Sequence, residues 1–233
     1  MSIAENIKII RENMAEAAIK SGRKPEEICL VAASKMNDAE NVRAAIAGGV
    51  DACGENRVQE MLQKLSQNAY EGAPLHFIGH LQKNKVKNVV GNVSLIQSAD
   101  SPELIQLINK QADKLGLIQD ILLEINIGGE ECKTGMSLSR LDEALDTAAS
   151  CGSIRVRGLM TVPPICEESE KKRAYFAQMH QLFVDIGAKK YDNNIIMEIL
   201  SMGMSGDYYD AILEGATMVR VGSSIFGARD YTK

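Results

Sequence analysis

Two groups of small polar residues near the C-terminus could bind a phosphate. They lie in the segment Ile199–Gly227, and each follows a short apolar run: Ser201, Gly203 and Ser205 come after 195–200, and Gly222, Ser223 and Ser224 come after 216–221. Small residues where a strand meets a helix let backbone N–H groups approach a ligand, and the N-terminus of the helix favours an anion. In a barrel of parallel strands, the loops after the last two strands are a common phosphate site. The segment is therefore predicted to hold a phosphorylated ligand.

Lys35 is the candidate reactive amine. It directly follows the apolar and small residues 29–34, which places it at the end of a predicted strand. Partial burial and a nearby cation such as Arg220 would favour the neutral amine, which can attack a carbonyl and form a Schiff base. A solvent-exposed lysine at a strand end is the alternative. A lysine beside a phosphate site indicates either a class I aldolase or a pyridoxal phosphate site.

Arg220 lies in the last predicted strand, between the two groups of small residues. It could form a structural ion pair with a carboxylate such as Glu124 or Glu198. Facing a pyridine nitrogen, its guanidinium would instead donate a hydrogen bond and keep that nitrogen unprotonated. The usual partner is an acid, which makes the pyridoxal ring a strong electron sink. An arginine there predicts a weak sink, suited to proton transfer or to carrying the cofactor.

Other polar residues have simpler interpretations than a functional one. His80 could be a base or a ring-stacking group, but a core histidine with satisfied hydrogen bonds is the simpler reading. The three lysines within 83–87 fit a solvated helix face better than an anion site. Ser205 fits a helix N-cap as well as a ligand contact. Cys53 and Cys132 fit small hydrophobic residues.

Length and composition narrow the class of protein. A chain of 233 residues that is 45% hydrophobic can bury a large core, which excludes disorder. A net charge of −5 and only 4% aromatic residues argue against a nucleic-acid binder. Five cysteines without a CxxC pair indicate a reducing cytosol, with neither a disulfide framework nor a zinc site. No apolar run has the length of a membrane span, and the N-terminus lacks a signal-peptide core. A cytoplasmic protein that binds no membrane is expected.

Strands and helices alternate along the chain. Apolar runs predict strands at 29–34, 50–54, 75–79, 93–97, 118–127, 156–160, 195–200 and 216–221. Helical patterns follow them, including a basic helix at 82–90, and an extra helix at 2–21 precedes the series. About eight such units with no long linker favour a closed parallel barrel, so the fold class is α/β, a single (β/α)8 TIM barrel domain over 1–233. An open doubly wound sheet is the alternative, but no GxGxxG follows the first strand.

Several segments together resemble one protein family. They are AASK (32–35), GENRVQE (54–60), HFIGHLQKNK (76–85), EINIGGEECKTG (124–135), GLMTVPP (158–164), LSMGMSGDYYDAI (200–212) and VRVGSSIFGAR (219–229). In combination they are similar to the pyridoxal phosphate homeostasis proteins, and the match covers nearly the whole chain. The fold of that family is similar to the N-terminal barrel of bacterial alanine racemase.

The resemblance implies a site for pyridoxal 5'-phosphate. Its residues would be Lys35 for the Schiff base, Arg220 at the pyridine nitrogen, Ser201, Gly222 and Ser223 at the phosphate, and Asn56, His80 and Met160 around the pocket. The sequence departs from the family pattern at four positions: Cys53, Arg57, Leu75 and Ser223. The serine keeps the hydroxyl of the more frequent threonine, whereas the arginine would alter the rim of the pocket.

The resemblance also implies a cofactor carrier or regulator. Alanine racemase needs a second, β-rich domain that supplies a tyrosine base opposite the lysine, whereas this sequence ends at 231–233, just after the last barrel strand. Racemisation needs a proton donor on each face of the ring, and Lys35 is the one evident acid–base group. The expected function is non-catalytic homeostasis of pyridoxal phosphate by a monomer that serves pyridoxal phosphate-dependent apoenzymes. A fold-type III amino-acid racemase and an aldolase-type enzyme are the alternatives.

Overall fold

Eight parallel strands form a closed barrel in the computed structural model, which describes residues 1–130, 134–164, 169–189, 191 and 194–227. The strands follow the order of the chain, and the last pairs with the first. They are β1 (Cys29–Ala33), β2 (Ala52–Glu55), β3 (Leu75–Phe77), β4 (Leu95–Ala99), β5 (Gln119–Ile125), β6 (Ile154–Thr161), β7 (Ile195–Met204) and β8 (Met218–Val221). The predicted (β/α)8 barrel is confirmed.

Helices cover the outside of the barrel and connect the strands. They are α1 (Ile3–Lys20), α2 (Ala39–Ala47), α3 (Val58–Leu65), α4 (Val86–Val89), α5 (Pro102–Leu115), α6 (Leu141–Ala149), α7 (Ser169–Ala188), α8 (Tyr208–Leu213) and α9 (Ser223–Phe226). None of the helices in the described ranges is long and apolar enough to cross a membrane.

The N-terminal helix α1 closes the outer layer where β8 meets β1. It begins at a capping box, in which the Ser2 hydroxyl accepts from the Glu5 N–H and the Glu5 carboxylate accepts from the Ser2 N–H. It packs against α2, α8 and α9. The Asn6 side chain also donates to the Ile225 carbonyl at 2.9 Å, so the first helix is joined to the last. The predicted extra helix is therefore part of the barrel wall.

The barrel interior changes from apolar to polar along the strands. One layer consists of small and medium apolar side chains: Val31, Ala52, Leu95, Leu122, Met160 and Met218. Side chains on a strand point inward at every second residue. The next layer toward the C-terminal ends is therefore formed by residues two positions further along these strands. That layer contains four buried polar groups: Gln97, Glu124, Ser201 and Arg220. Buried polar groups in a barrel need mutual hydrogen bonds, which the site below supplies.

Two differences between the predicted and the observed elements concern residues near the mouth of the barrel. The strand predicted to end at residue 200 continues to Met204, because Ser201 pairs with both Met160 and Met218 and Met204 pairs with Arg220. Small polar residues suggested a turn, but hydrogen bonds to both neighbouring strands override that local preference. The basic helix predicted at 82–90 is a 3₁₀ turn at 83–85 followed by the four-residue α4.

Gly158 allows β6 and β7 to approach closely. Its φ is +149°, and a Cβ there would lie 1.8 Å from the Ile199 carbonyl oxygen. We expect Gly158→Ala to lower the free energy of unfolding by about 3 kcal/mol, since the backbone must shift to relieve the overlap. Urea unfolding measures the change. Gly152→Ala is the matched control, because a Cβ at that position meets no atom within 4 Å; an equal loss in the two variants would contradict the explanation.

Candidate functional site

The eight residues predicted to form the site lie at or beyond the C-terminal halves of their strands. Lys35, Asn56 and His80 follow β1, β2 and β3, and Gly222 and Ser223 follow β8. Met160, Ser201 and Arg220 lie within β6, β7 and β8. Because all eight strands are parallel, these ends share one mouth of the barrel, where sites of this fold are built.

The two groups of small residues contact each other directly. The Ser205 hydroxyl accepts hydrogen bonds from the backbone N–H groups of Gly222 at 3.1 Å and Ser224 at 3.3 Å. A Cβ on Gly222 would lie 3.2 Å from the Ala33 carbonyl oxygen, so glycine also brings this loop against the end of β1. The β7 and β8 loops therefore form one polar cup, made of a hydroxyl and backbone N–H donors, beside the strand that precedes Lys35. We call these residues, Ser205 and Gly222–Ser224, the serine cup.

Ser205 does not cap α8, because Asp207 occupies the N-cap position. The Asp207 carboxylate instead accepts from the Met204 N–H at 2.6 Å and stabilises the turn. Of the two interpretations given for Ser205, the helix N-cap is wrong and the ligand contact stays a prediction. Ser205 comes directly after β7, which ends at Met204.

Ser201 is fully buried inside the barrel and binds Arg220. Its hydroxyl accepts from Arg220 Nη1 at 2.5 Å and lies 2.7 Å from Gln97 Oε1. These contacts orient Arg220, so the prediction that Ser201 contacts a phosphate gains no support from them and stays a prediction. Sequence reasoning missed Gln97, for which burial after an apolar run was the available signal.

Arg220 is a buried cation, with 4% of its surface exposed. Besides the bond to Ser201, its Nη2 donates to the Thr161 carbonyl at 2.9 Å. The burial lowers the pKa of the guanidinium to about 10, while the charges of Glu124 and Asp207 act to raise it. The group is thus held protonated at neutral pH, at the inner end of the mouth.

The alternative of a structural ion pair for Arg220 does not match the contacts of either proposed partner. Glu198 lies on the outside and binds Arg157, with Oε2 at 3.0 Å from Nε. Glu124 accepts from the Thr134 hydroxyl at 2.5 Å. Within the described part of the chain, Arg220 therefore donates to neutral oxygen atoms, and Glu124 acts on it through its charge.

Arg220 fixes the direction of a chain of hydrogen bonds through the barrel. A guanidinium has donors and no acceptor, so Ser201 must accept from it and give its own proton to Gln97 Oε1. The Gln97 amide N–H2 then faces Met218 Sδ at 3.2 Å and His76 Nδ1 at 3.0 Å. His76 Nδ1 is consequently an acceptor, and its proton resides on Nε2. Burial lowers the pKa of His76 to about 4, consistent with a neutral ring.

Acid–base groups also converge on the mouth. Glu124 is 3% exposed; burial is the main factor that raises its pKa, and the charges of Asp100, Arg220 and His80 act on it. Its Oε2 accepts from no described residue, and the same holds for the buried Oδ1 of Asn56. From the sequence, Glu124 was considered only as an ion-pair partner of Arg220. Its role as an acid–base group at the mouth was missed.

His80 is an exposed residue of the rim, which makes the interpretation as a core histidine wrong. Its side chain is 52% exposed, and Nδ1 lies 3.1 Å from Asp100 Oδ2. It lines a cavity of about 180 Å³ together with Asn56, Arg57 and Lys85. Arg57, the position that departs from the family pattern, is exposed at the start of α3. Loop residues after a glycine left no periodic pattern from which this exposure could be read.

The remaining predictions have mixed outcomes. Cys53 is fully buried in the core, and burial raises the pKa of its thiol to about 12, which confirms a small hydrophobic residue. Cys132 lies outside the described residues. Met160 is 1% exposed within the apolar interior layer, so it lies below the polar mouth. Lys83 and Lys87 are exposed, as a solvated surface requires.

Comparison with known proteins decides the family. The family model described as the alanine racemase N-terminal domain matches residues 3–230. A pyridoxal phosphate homeostasis protein of Aquifex aeolicus is 39% identical over 99% of this chain and 100% of its own length. The chain belongs to the pyridoxal phosphate homeostasis protein family.

Solved structures agree with this family. PipY of Synechococcus elongatus, described both with and without pyridoxal phosphate bound, is 30% identical over 97% of this chain and all of its own. Its TM-scores are 0.85 with the cofactor and 0.86 without it. Alanine racemase of Clostridium difficile has a TM-score of 0.72 at 18% identity, with 98% of this chain and 58% of the racemase covered, which shows a common fold.

The direction of the hydrogen-bond chain predicts the state of His76. Nitrogen-15 NMR should find the Nε2–H tautomer and a pKa well below the usual 6.5. In the unfolded chain His76 takes up a proton near pH 6.5, whereas in the folded protein it resists until about pH 4, so stability should fall as the pH falls through this window. The loss amounts to about 3 kcal/mol.

His76→Gln should abolish this part of the acid dependence, because glutamine has no proton to gain. His80→Gln is the control, since that ring is exposed. An Nδ1–H tautomer in the native protein would contradict the direction of the chain.

Proposed function

We propose that this protein binds pyridoxal 5'-phosphate at the C-terminal mouth of the barrel and serves the homeostasis of that cofactor. The observation that carries the proposal is the serine cup, which lies beside the end of β1, two residues before Lys35. A cup of backbone N–H donors recognises a phosphate, and an amine at the same mouth can react with an aldehyde. The family name and the cofactor-bound PipY structure support the same ligand.

The donors at the mouth fit such a ligand. The N–H groups of Gly222 and Ser224 now meet a neutral hydroxyl, that of Ser205, and would gain from a charged oxygen. We assign the phosphate to these groups together with Ser223 and Ser205, and we assign Ser201 to the support of Arg220. The buried oxygen atoms of Glu124 and Asn56 that no described residue contacts offer further polar partners.

Lys35 and Arg220 would hold the reactive end and the ring. When bound, pyridoxal phosphate supplies an aldehyde that condenses with an amine as water leaves, and a pyridine ring that accepts electrons. Lys35 is half-buried at the mouth and supplies the amine. Arg220, whose pKa stays near 10, would donate to the ring nitrogen and keep it unprotonated. The ring is then a weak electron sink, which favours holding the cofactor over reacting with it.

A non-catalytic carrier is the function that we favour. We expect a single-domain monomer in the cytoplasm that exchanges the cofactor with pyridoxal phosphate-dependent apoenzymes. The partly accessible Lys35 and the exposed His80 at the rim support such exchange, since a recipient could approach this face.

A racemase is the second candidate, and one observation favours it. Glu124 and His80 add proton-holding groups at the mouth, so Lys35 is not the one acid–base group there. Racemisation requires such a group on each face of the ring. Purified protein loaded with cofactor should interconvert alanine or serine enantiomers if this candidate is correct. The carrier predicts no interconversion at high protein concentration, measured by chiral chromatography.

The binding proposal is tested by absorbance and mass spectrometry. Added pyridoxal phosphate should give a visible band, and borohydride should fix a pyridoxyl group on Lys35. Lys35→Ala should lose the band, because the amine that holds the aldehyde is gone. Lys8→Ala is the control, as this lysine is exposed on α1. A wild-type protein that takes up no pyridoxal phosphate would refute the proposal, and a trapped sugar phosphate would favour an aldolase.

The two serines are distinguished by comparing pyridoxal phosphate with pyridoxal. Ser205→Ala should weaken pyridoxal phosphate binding about tenfold or more and leave pyridoxal binding unchanged, since a hydrogen bond to a charged group is lost. Ser201→Ala should affect both ligands alike, because its partner is Arg220. Titrations followed by absorbance measure both affinities. The reverse pattern would return the phosphate contact to Ser201.

A further inference from the structure

A buried cluster of charges lies directly behind Lys35. Its centre is Lys64, which is 5% exposed and whose Nζ lies 2.6 Å from Glu55 Oε1 and 2.9 Å from Glu60 Oε1. Glu55 is fully buried and also accepts from the Tyr70 hydroxyl at 3.0 Å. We call Glu55, Glu60, Lys64 and Tyr70 the ion cluster. Burying charged groups costs free energy, so each one needs compensating contacts. Those contacts show which parts of the chain the cluster binds.

The ion cluster holds the two neighbours of Lys35. Lys64 Nζ donates to the Ser34 carbonyl at 2.8 Å, and the Ser34 hydroxyl donates to Glu55 Oε1 at 2.7 Å. On the other side of Lys35, the Met36 backbone N–H donates to Glu60 Oε1. Lys35 is therefore flanked by two residues that are each hydrogen-bonded to a charged member of the ion cluster. Ser34 is bound to the buried Lys64 and Glu55, and Met36 is bound to the half-buried Glu60.

The backbone at this place needs such support. Residues 34–37 form a turn in which the Asn37 N–H donates to the Ser34 carbonyl at 3.1 Å, and Met36 has a φ of +63°. Residues other than glycine rarely adopt that backbone conformation. Without a restraint, Met36 would therefore relax to a different backbone conformation. Such a change would rotate the peptide plane between Lys35 and Met36. The direction in which the Lys35 side chain leaves the strand end would then change.

We propose that Glu60 and Lys64 are positioning residues for Lys35, and that they set the geometry in which its amine meets a carbonyl carbon. This inference rests on the proposed function, because it assumes that Lys35 is the reacting amine. Reactions of this kind lose rate steeply when the reacting atoms are misplaced by about 1 Å. Of the two neighbours of Lys35, Met36 donates a hydrogen bond to Glu60, whereas Ser34 is bound to Glu55 and Lys64. A substitution of Glu60 therefore leaves the partners of Ser34 in place.

The same cluster excludes Lys64 as a competing amine. Its Nζ is buried and lies at hydrogen-bond distance from two carboxylates and a carbonyl. These three oxygen atoms surround the nitrogen, so the carbonyl carbon of a ligand has no open approach to it. Attack by Lys64 on an aldehyde at the mouth is thereby excluded.

The test compares Glu60→Ala with the wild type on two ligands. The first is pyridoxal phosphate, and the second is 4-deoxypyridoxine 5'-phosphate, which has the ring and the phosphate but no aldehyde. The variant should form the visible band about tenfold more slowly or worse and bind pyridoxal phosphate correspondingly more weakly. Its affinity for the deoxy ligand should be unchanged, because Lys35 forms no bond to that ligand.

Two control variants accompany Glu60→Ala. Glu60→Gln should recover most of the rate, because an amide oxygen can still accept from the Met36 N–H. Glu16→Ala removes an exposed carboxylate that pairs with a lysine four residues away, as Glu60 does, but far from Lys35. It should leave both ligands unaffected. If Glu60→Ala does not fold, Glu60→Asp, which keeps the charge and shortens the reach, is measured in the same way.

Each outcome is decisive. An unchanged rate in Glu60→Ala, or in Glu60→Asp where it replaces it, overturns the positioning role. Equal losses on both ligands also overturn it, since they indicate general support of the mouth. A pyridoxyl group fixed by borohydride on Lys64 in the wild type would refute the exclusion of that amine. A wild-type protein without any visible band would refute the proposed function itself, which is a different result.

Discussion

A guanidinium inside a barrel imposes an order on everything around it. Arg220 can only donate, so each oxygen atom near it must accept, and the direction of the hydrogen bonds then propagates through Ser201 and Gln97 to His76. Four strands are joined by these side chains across the interior. The apolar layer beneath excludes water, which strengthens each bond and makes an unpaired member costly. The polar mouth of the barrel is consequently rigid at its inner end.

The inner part of the mouth is buried and the outer part is exposed, and this difference matters for whether the site would carry a ligand or react with it. Arg220 is buried and held from two sides, whereas His80 is half exposed on the rim. A ligand would have its ring end fixed and its other end near solvent. A carrier requires both properties, because it must bind a reactive aldehyde and still release it. The charges of Arg220 and His80 act on the carboxyl group of Glu124, and a catalytic function would depend on Glu124 together with His80.

The barrel was predictable because buried parallel strands leave continuous apolar runs in the sequence, and these gave all eight strands. Lys35 and Arg220 were predictable as polar residues that end or interrupt such runs. Ser205 was not separated from Ser201, since pairing with both neighbours lengthens β7 in a way that local residue preference does not report. The ion cluster was missed because a buried lysine and an exposed one look alike in sequence, and its contacts join residues up to 30 positions apart.

The pairing of β8 with β1 has a consequence for synthesis. It joins Arg220 to Val31, and α1 crosses the same seam to reach Ile225. Nearly the whole chain must therefore leave the ribosome before the barrel can close. Until then the edges of β1 and β7 are unpaired, and the apolar layer is open to water. Ribosome pausing ahead of β8 would prolong this interval, in which the open strand edges favour aggregation.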